Sequence, residues 1–208
     1  MPGRLTLAAK RGLDIIASAA GLIALAPVGL CAAAAIGLED GHPIIYRATR
    51  VGRHGRPFVM YKFRTMWRDA AARGPAITTA VDPRITRVGR LLRRAKIDEL
   101  PQLWNVLRGE MSLVGPRPED LVYVALYTPA QRAVLEVRPG MTGPAQLAFA
   151  DETRLLRPSR AHEDYVDLVL PAKLAIDLEY VATLSLWRDL RTLAQTAWAL
   201  FSRSRRTV

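Results

Sequence analysis

The chain has 208 residues, 50% of them hydrophobic, and it carries 30 basic against 19 acidic side chains, a formal charge of +11. This size is typical of one domain with its own core. The 24% charged fraction excludes a disordered tail, and the single cysteine excludes a disulfide-stapled module or a cysteine-ligated zinc site. The excess of base predicts a polyanionic partner: nucleic acid, an anionic membrane face or a phosphorylated substrate.

The first distinctive segment is an apolar run of 24 uncharged residues, 15–38. It exceeds the roughly 20 residues that a helix needs to cross a bilayer, so it predicts a membrane segment, with a cleaved signal peptide as the alternative. Proline 27 removes a backbone hydrogen bond inside the run and predicts a break or kink at Ala26-Pro27. Both flanks are basic, which favours a re-entrant helix that returns to the same membrane face over a simple span.

A β-hairpin is predicted next, from two extended stretches at 44–47 and 58–65 that are separated by the glycine-bearing segment 52–55. In the second stretch, the alternation of a strand places Met60, Lys62 and Arg64 on one face and aromatic residues on the other. The cationic face is either functional or simply solvated.

A basic stripe follows, in which Arg84, Arg87, Arg90 and Arg93 recur at every third position. On a helix these side chains lie on one face. Such a stripe suits DNA phosphates, lipid headgroups or a substrate diphosphate, and the pattern alone does not choose among these anions.

An acidic pair, Asp98-Glu99, comes directly after the stripe and before Leu100-Pro101. The apolar residues that follow recur with helical spacing as far as Gly109, which predicts an amphipathic helix with Pro101 in its first turn. The two carboxylates then lie at the helix N-terminus, where the free N–H groups favour negative charge. Taken alone, such a pair is most simply a helix cap.

Two rigid turns each place an arginine beside proline: Arg117 in 115–118, and Arg138 in 138–144. A guanidinium fork on a fixed backbone suits a phosphate, although the second turn also reads as an ordinary loop. Helices are predicted over 165–180 and 187–201, the latter either lying flat on a membrane or packing into the core. The expected fold is α+β and predominantly helical, with a re-entrant membrane helix in 1–40 and a domain on the membrane face in 41–208 that contains one small β-hairpin.

Six ordered blocks resemble the bacterial sugar transferases, a family of monotopic phosphoglycosyl transferases. The similarity covers nearly the whole chain. Its blocks are residues 10–14 (KRGLD), 61–66 (YKFRTM), 98–103 (DELPQL), 105–109 (NVLRG), 111–118 (MSLVGPRP) and 138–143 (RPGMTG).

The resemblance implies transfer of a sugar 1-phosphate from a UDP-sugar to polyprenyl phosphate, such as undecaprenyl phosphate, with release of UMP. This would be the first membrane step of glycoconjugate or exopolysaccharide assembly. It implies that Asp98 is the nucleophile of a phosphosugar-aspartate intermediate, and that Glu99 assists with the metal or with the acceptor. Small members of the family keep only a re-entrant helix and a catalytic domain, on the cytoplasmic face of the bacterial inner membrane.

The implied chemistry brings phosphates close to carboxylates, so a divalent cation, Mg²⁺ or Mn²⁺, is expected on Asp98 and Glu99. The expected phosphate-binding residues are Arg93 and Arg117, with Arg138, Lys62 and Arg64 as further candidates. The expected partners are the UDP-sugar, polyprenyl phosphate and inner-membrane lipid, without nucleic acid. Two alternatives remain: a membrane-tethered module that binds nucleic acid or anionic lipid without chemistry, and a glycosyl transferase that releases UDP.

Overall fold

The computed structural model describes residues 4–70, 82–152, 155–157 and 160–205. The described segments are mostly helical, as predicted. The helices are α1 (Arg4–Asp40), α2 (Arg87–Arg94), α3 (Gln102–Arg108), α4 (Leu121–Val124), α5 (Pro144–Ala148), α6 (Ala161–Asp164), α7 (Leu170–Ala182) and α8 (Leu186–Arg205). The strands are β1 (Ile45–Val51), β2 (Pro57–Phe63), β3 (Ser112–Val114) and β4 (Gly140–Thr142). A 3₁₀ turn at Ile97–Glu99 separates α2 from α3.

The predicted hairpin is confirmed, because β1 and β2 pair antiparallel from Ile45↔Phe63 to Val51↔Pro57. The predicted division of β2 into an apolar and a cationic face is wrong. Met60 is buried in a cluster with residues of α3 and the following loop, while the Lys62 ammonium turns toward a carboxylate. Both faces of β2 are covered by other elements, so alternation alone could not predict which side chains contact solvent.

A second, parallel pair joins β3 to β4 and was not predicted. Each strand has only three residues, too few for an alternating pattern to be visible in the sequence. The backbones approach closely, since a Cβ on Gly140 would lie 2.1 Å from the amide nitrogen of Gly115. Glycine at 140 therefore allows the two proline-arginine turns to lie side by side.

Helix α1 runs without interruption for 37 residues and includes Pro27. The helix is therefore not interrupted at Ala26-Pro27, and the predicted alternative of a kink there stays a prediction. Proline removes one backbone hydrogen bond, whereas the surrounding alanines and leucines are strong helix formers that keep the remaining bonds. This helix is long and apolar enough to cross a membrane. Re-entrant insertion stays a prediction.

Three polar residues in the first half of α1 face the protein rather than solvent. Lys10, Asp14 and Ser18 recur every four residues and are all less than 9% exposed. The Lys10 ammonium lies 2.6 Å from a carboxylate oxygen of Asp189 on α8, and Asp14 accepts hydrogen bonds from Ser112 and from a backbone N–H of β3. Large apolar side chains such as Ile16, Ile23 and Leu30 are more than 70% exposed. The helix thus turns an apolar face outward.

The C-terminal end of α1 also contacts the rest of the protein. The carboxylate of Glu39 accepts hydrogen bonds from the first backbone N–H groups of α2, at 2.8 Å from the Arg87 nitrogen. Ala32 and Ile36 pack against Phe63 and Leu92. Since contacts occur at both ends, α1 lies along the domain instead of projecting away from it.

The basic stripe is shorter than predicted. Helix α2 begins at Arg87 and is capped by Thr86, whose hydroxyl accepts a hydrogen bond from the Gly89 N–H. Arg84 precedes the helix and is buried, with its guanidinium forked onto both carboxylate oxygens of Asp82. The sequence pattern missed this pair because Asp82 lies two residues before the first arginine of the stripe. Arg84 therefore does not contribute to a lipid-facing stripe.

Helix α8 confirms the predicted packing into the core and also carries exposed aromatic side chains. Asp189 and Thr192 are buried against the core, and Asp189 accepts a hydrogen bond from the Tyr180 hydroxyl at 2.6 Å. Trp187 and Trp198 are about three-quarters exposed (74% and 75%). One face therefore packs into the protein, and the contact of the aromatic residues with a membrane stays a prediction.

Candidate functional site

The acidic pair lies on a separate 3₁₀ turn, Ile97–Glu99, and not at the N-terminus of α3 as predicted. Lys96, which precedes this turn, adopts a left-handed conformation (φ 58°), and Pro101 is the N-cap of α3 rather than a residue of its first turn. The Asp98 and Glu99 side chains face the interior, being 7% exposed for Asp98 as a whole and 12% exposed for the Glu99 side chain. They are therefore more than helix caps on a solvated surface.

Glu99 joins two cations that come from different parts of the chain. Its Oε1 atom lies 3.0 Å from the Lys62 ammonium on β2 and 3.1 Å from the Arg117 guanidinium. Burial alone would raise the pKa of Glu99, but the charges of Arg117 and Lys62 outweigh it and hold that pKa well below its usual range. The same pairing raises the pKa of Arg117. Two cations thus converge on one oxygen.

Asp98 lies beside this group with an unused acceptor. Within the described residues, its Oδ1 atom is buried and has no hydrogen-bond partner. Burial and then the charge of Glu99 raise its pKa, while Lys62, Lys96 and Arg93 oppose the shift. A buried carboxylate oxygen with no hydrogen bond is available to react or to bind an ion.

Arg93, on α2, is electrostatically coupled to the acidic pair. Its Nε donates to the Thr65 hydroxyl at 2.8 Å, and Asp98 is the largest of the charges that stabilise its cationic form against burial. Glycine at 89 permits this approach, because a Cβ there would lie 2.1 Å from the carbonyl oxygen of Thr65. The helix therefore packs directly on the segment that follows β2.

Arg117 is fixed by the backbone around it. The N–H of Gly115 donates to the Thr142 carbonyl at 2.9 Å, and the N–H of Gly140 donates to the Pro116 carbonyl at 2.8 Å. Together with the two prolines, these bonds restrain the turn that presents the guanidinium. The predicted rigid turn is confirmed.

Two of the predicted phosphate-binding residues lie elsewhere. Arg64 is buried at the end of α1, where its guanidinium donates to the carbonyls of Asp40 and Gly41. Arg138 donates through Nε to the carbonyl of Gly109 at the end of α3. The structure brings neither of them into hydrogen-bonding contact with the acidic pair.

Some residues near the pair were not predicted. Lys96 adds positive charge toward Asp98 and Glu99. Thr65 holds Arg93 through its hydroxyl. The sequence did show a lysine two positions before the acidic pair, which could have indicated Lys96. The contact of Thr65 with Arg93 depends on how α2 packs, and no sequence pattern indicates it.

An apolar groove begins beside the acidic pair. It has a volume of about 110 Å³ and runs between α1 and the start of α3. Leu100 and Pro101, directly after Glu99, form one wall, and Phe63 and Leu103 contribute to the same side. The other wall is the α1 segment around Leu22 and Gly29, including Ala26. The groove thus lies between the membrane-like helix and the residues that directly follow the carboxylates in the sequence.

The two carboxylates suit a hard divalent ion. Within the described segments, no three acidic, histidine or cysteine side chains form a metal cluster. Mg²⁺ is commonly bound through only one or two carboxylates together with substrate phosphates, so a larger cluster is not required. The Oδ1 of Asp98, which has no partner in the described part of the chain, fits this role, while Oε1 of Glu99 already contacts two cations.

A further buried carboxylate, Asp177 on α7, is 4% exposed, and its Oδ1 has no hydrogen-bond partner in the described part of the chain. Burial, only partly offset by Lys173, raises its pKa from 3.8 to about 7. Between these pH values the folded protein holds a proton that the unfolded chain releases. The protein therefore loses stability as pH rises through that interval.

We expect the contribution of Asp177 to the free energy of unfolding to fall by up to about 4 kcal/mol as pH rises from about 4 to about 7. Asp177→Asn should flatten that part of the profile. Thermal midpoints of both proteins in detergent, at about pH 5 and about pH 8, provide the measurement. Equal decreases in wild type and variant would show that Asp177 does not titrate in this range.

Comparisons with known proteins agree in one description. A family model described as bacterial sugar transferase matches residues 5–203. UDP-glucose:undecaprenyl-phosphate glucose-1-phosphate transferase of Caulobacter vibrioides is 43% identical over 198 residues, which cover 93% of this chain and 70% of that protein. UDP-N-acetylgalactosamine-undecaprenyl-phosphate N-acetylgalactosaminephosphotransferase of Aeromonas hydrophila is 36% identical, over 90% of this chain and 42% of that protein. Exopolysaccharide production protein PSS of Rhizobium leguminosarum bv. phaseoli is 38% identical, over 96% and 98%.

Proposed function

Because this chain belongs to the bacterial sugar transferase family, we propose that it moves a sugar 1-phosphate from a UDP-sugar to undecaprenyl phosphate or a similar polyprenyl phosphate. The names of the Caulobacter and Aeromonas relatives support this acceptor and this class of reaction. The name of the Rhizobium relative supports a place in exopolysaccharide production. The observation that carries the proposal is the buried, unpartnered Asp98 oxygen beside two cations that converge on Glu99.

The reaction proceeds in two displacements at one phosphorus atom. A carboxylate oxygen of Asp98 attacks the phosphorus that bears the sugar, and the bond to the bridging oxygen breaks, so UMP leaves with the electron pair. The product is an acyl phosphate on Asp98. An oxygen of polyprenyl phosphate then attacks the same phosphorus, which releases the Asp98 carboxylate and yields the lipid diphosphate sugar.

The surrounding cations stabilise the charge that develops on the phosphoryl oxygens. Lys62 and Arg117 already hold one carboxylate oxygen of Glu99 between them, which is the kind of position a phosphoryl oxygen requires. The charge of Asp98 favours the cationic form of Arg93, which lies on α2. A divalent ion such as Mg²⁺ or Mn²⁺, held by Asp98 and by substrate phosphates, would supply further neutralisation of charge.

The apolar groove supports a route for the lipid. Its walls are apolar side chains of α1 and of the segment after Glu99, so the first isoprene units could lie there while the phosphate reaches Asp98. The UDP-sugar, which is water-soluble, would approach from the opposite side. A site between a membrane and the cytosol needs both routes.

The membrane arrangement follows from the contacts of α1. Contacts at Lys10 and at Glu39 hold both ends of the helix on the same domain, while apolar side chains face outward. This supports a monotopic protein on the cytoplasmic face of the inner membrane.

Labels placed near residue 4 and near residue 53 should both be accessible only from the cytoplasm. Cysteine variants at these positions, treated with an impermeant thiol reagent in intact cells and in inverted vesicles, provide the measurement. Labelling of the two positions from opposite sides would demonstrate a true span and contradict the monotopic arrangement.

The released nucleotide tests the proposed reaction. The purified protein is incubated with a panel of UDP-sugars, polyprenyl phosphate and Mg²⁺, and the nucleotide product is identified by chromatography. UMP is expected with at least one sugar. Release of UDP would indicate transfer of the sugar without its phosphate, and absence of any release over the panel would favour a binding module without chemistry.

A further inference from the structure

A buried ion cluster lies on α7, outside the group formed by Asp98 and its cations. The ammonium of Lys173 is 3.1 Å from a carboxylate oxygen of Glu152 and 3.3 Å from one of Glu119, and the Lys173 side chain is 4% exposed. The Tyr165 hydroxyl donates to the same Glu119 oxygen at 2.6 Å. One ammonium therefore faces two carboxylates.

This cluster is linked to Arg117 through the chain and through charge. Glu119 is two residues after Arg117, and its backbone carbonyl accepts a hydrogen bond from the N–H of Val51 at 3.0 Å. The charge of Glu99 favours the cationic form of Arg117 most strongly, and the carboxylates of Glu152 and Glu119 favour it next. Three carboxylates thus attract the Arg117 guanidinium, and it is hydrogen-bonded only to Glu99 among the described residues.

The two carboxylates of the cluster are held to different degrees. Glu119 is bound by both Tyr165 and Lys173. In the described ranges, the Glu152 carboxylate has a hydrogen bond to Lys173 alone. Without that ammonium, the Glu152 carboxylate, whose side chain is 33% exposed, would keep its charge without a hydrogen-bond partner among the described residues, and an approaching cation would be attracted to it. Arg117 lines the same cavity as Glu119 and Lys173, and the charge of Glu152 favours its cationic form.

We propose that Lys173 is a positioning residue, which keeps the Arg117 guanidinium directed toward Glu99 and the donor phosphate by engaging Glu119 and Glu152. This inference rests on the proposed function and adds to it a residue that contacts neither substrate. It assigns Lys173 a competitive role: the ammonium occupies the carboxylates that would otherwise attract Arg117 away from the site.

The test compares Lys173→Met, Glu152→Gln and the double variant in the full-length protein. Lys173→Met removes the charge but keeps a side chain of similar length. We expect kcat/KM for the UDP-sugar to fall at least about tenfold in Lys173→Met, and to return to within about threefold of wild type in the double variant. Glu152→Gln alone should stay within about threefold.

Thermal midpoints are recorded for every variant, and kcat/KM is expressed per folded molecule. A merely structural role would lower the midpoint without changing this value. If Lys173→Met does not fold, Lys173→Gln takes its place, because the amide can still donate to one carboxylate without carrying charge. A folded double variant that remains tenfold impaired would overturn the proposal, since no freed Glu152 carboxylate then remains to explain the loss.

A structure of the variant separates this inference from the proposed function. In Lys173→Met we expect the Arg117 guanidinium to contact Glu152 in place of Glu99. An unchanged pairing of Arg117 with Glu99 would overturn the positioning role even if the wild-type protein proved inactive. Absence of UMP release from the wild-type protein would count against the proposed function alone.

Discussion

Replacing Asp98 with asparagine is expected to lower the turnover number for UMP release at least about 10³-fold, with the folded structure retained. The amide has nearly the shape of the carboxylate, but its oxygen is a poor nucleophile and it carries no charge. Because Oδ1 of Asp98 has no hydrogen-bond partner among the described residues, the substitution breaks no hydrogen bond at that atom. Steady-state rates with UDP-sugar and polyprenyl phosphate provide the measurement.

A matched control is Asp167→Asn, which makes the same chemical change at an exposed carboxylate on the segment before α7. Its turnover should stay within about twofold of wild type. Retention of more than about a tenth of wild-type turnover in Asp98→Asn would contradict a nucleophilic role, because such a residue acts in every catalytic cycle.

Replacing Arg117 with lysine should lower kcat/KM for the UDP-sugar at least about tenfold, although the charge is conserved. The guanidinium presents several N–H donors in a plane, so it can contact Glu99 and a phosphate together, whereas one ammonium on a flexible chain offers a single point of contact. The prolines on both sides fix the turn, and the shorter head group cannot be compensated by movement of the backbone.

The control for this substitution is Arg108→Lys, at an exposed arginine that pairs with Glu110 on the protein surface. Kinetic constants near those of wild type are expected, because such exposed pairs contribute little. Wild-type kcat/KM in Arg117→Lys would show that the fork of the guanidinium does not bind the donor phosphate.

The elements with strong local signals could be predicted from the sequence. Apolar residues at helical spacing predicted α3, and glycines between two extended stretches predicted the hairpin. The uninterrupted course of α1 through Pro27 could not be predicted, since a local rule for proline competes with a long run of good helix formers. The pairing of β3 with β4 depends on a close approach of two distant glycines.

The convergence of cationic side chains on the acidic pair was predictable only in part. Family motifs contain Lys62 and Arg117, and Arg93 was selected because it lies five residues before Asp98. The structure brings Lys62 and Arg117 onto Glu99, and the charge of Asp98 favours the cationic form of Arg93. Arg64 and Arg138 carry the same charge in similar motifs, but they donate to backbone carbonyls at helix ends. A cation in a motif has the same appearance in sequence whether it binds a substrate or satisfies a carbonyl, because the distinction depends on tertiary packing.

The central claim is that the sugar phosphate passes through a covalent bond to Asp98. The most direct measurement incubates the protein with UDP-sugar and Mg²⁺ in the absence of lipid, quantifies UMP and examines the trapped protein by mass spectrometry. About one UMP per active site and a phosphosugar adduct on the peptide that contains Asp98 are expected. Release of UMP only after polyprenyl phosphate is added, with no adduct on that peptide, would contradict the covalent mechanism.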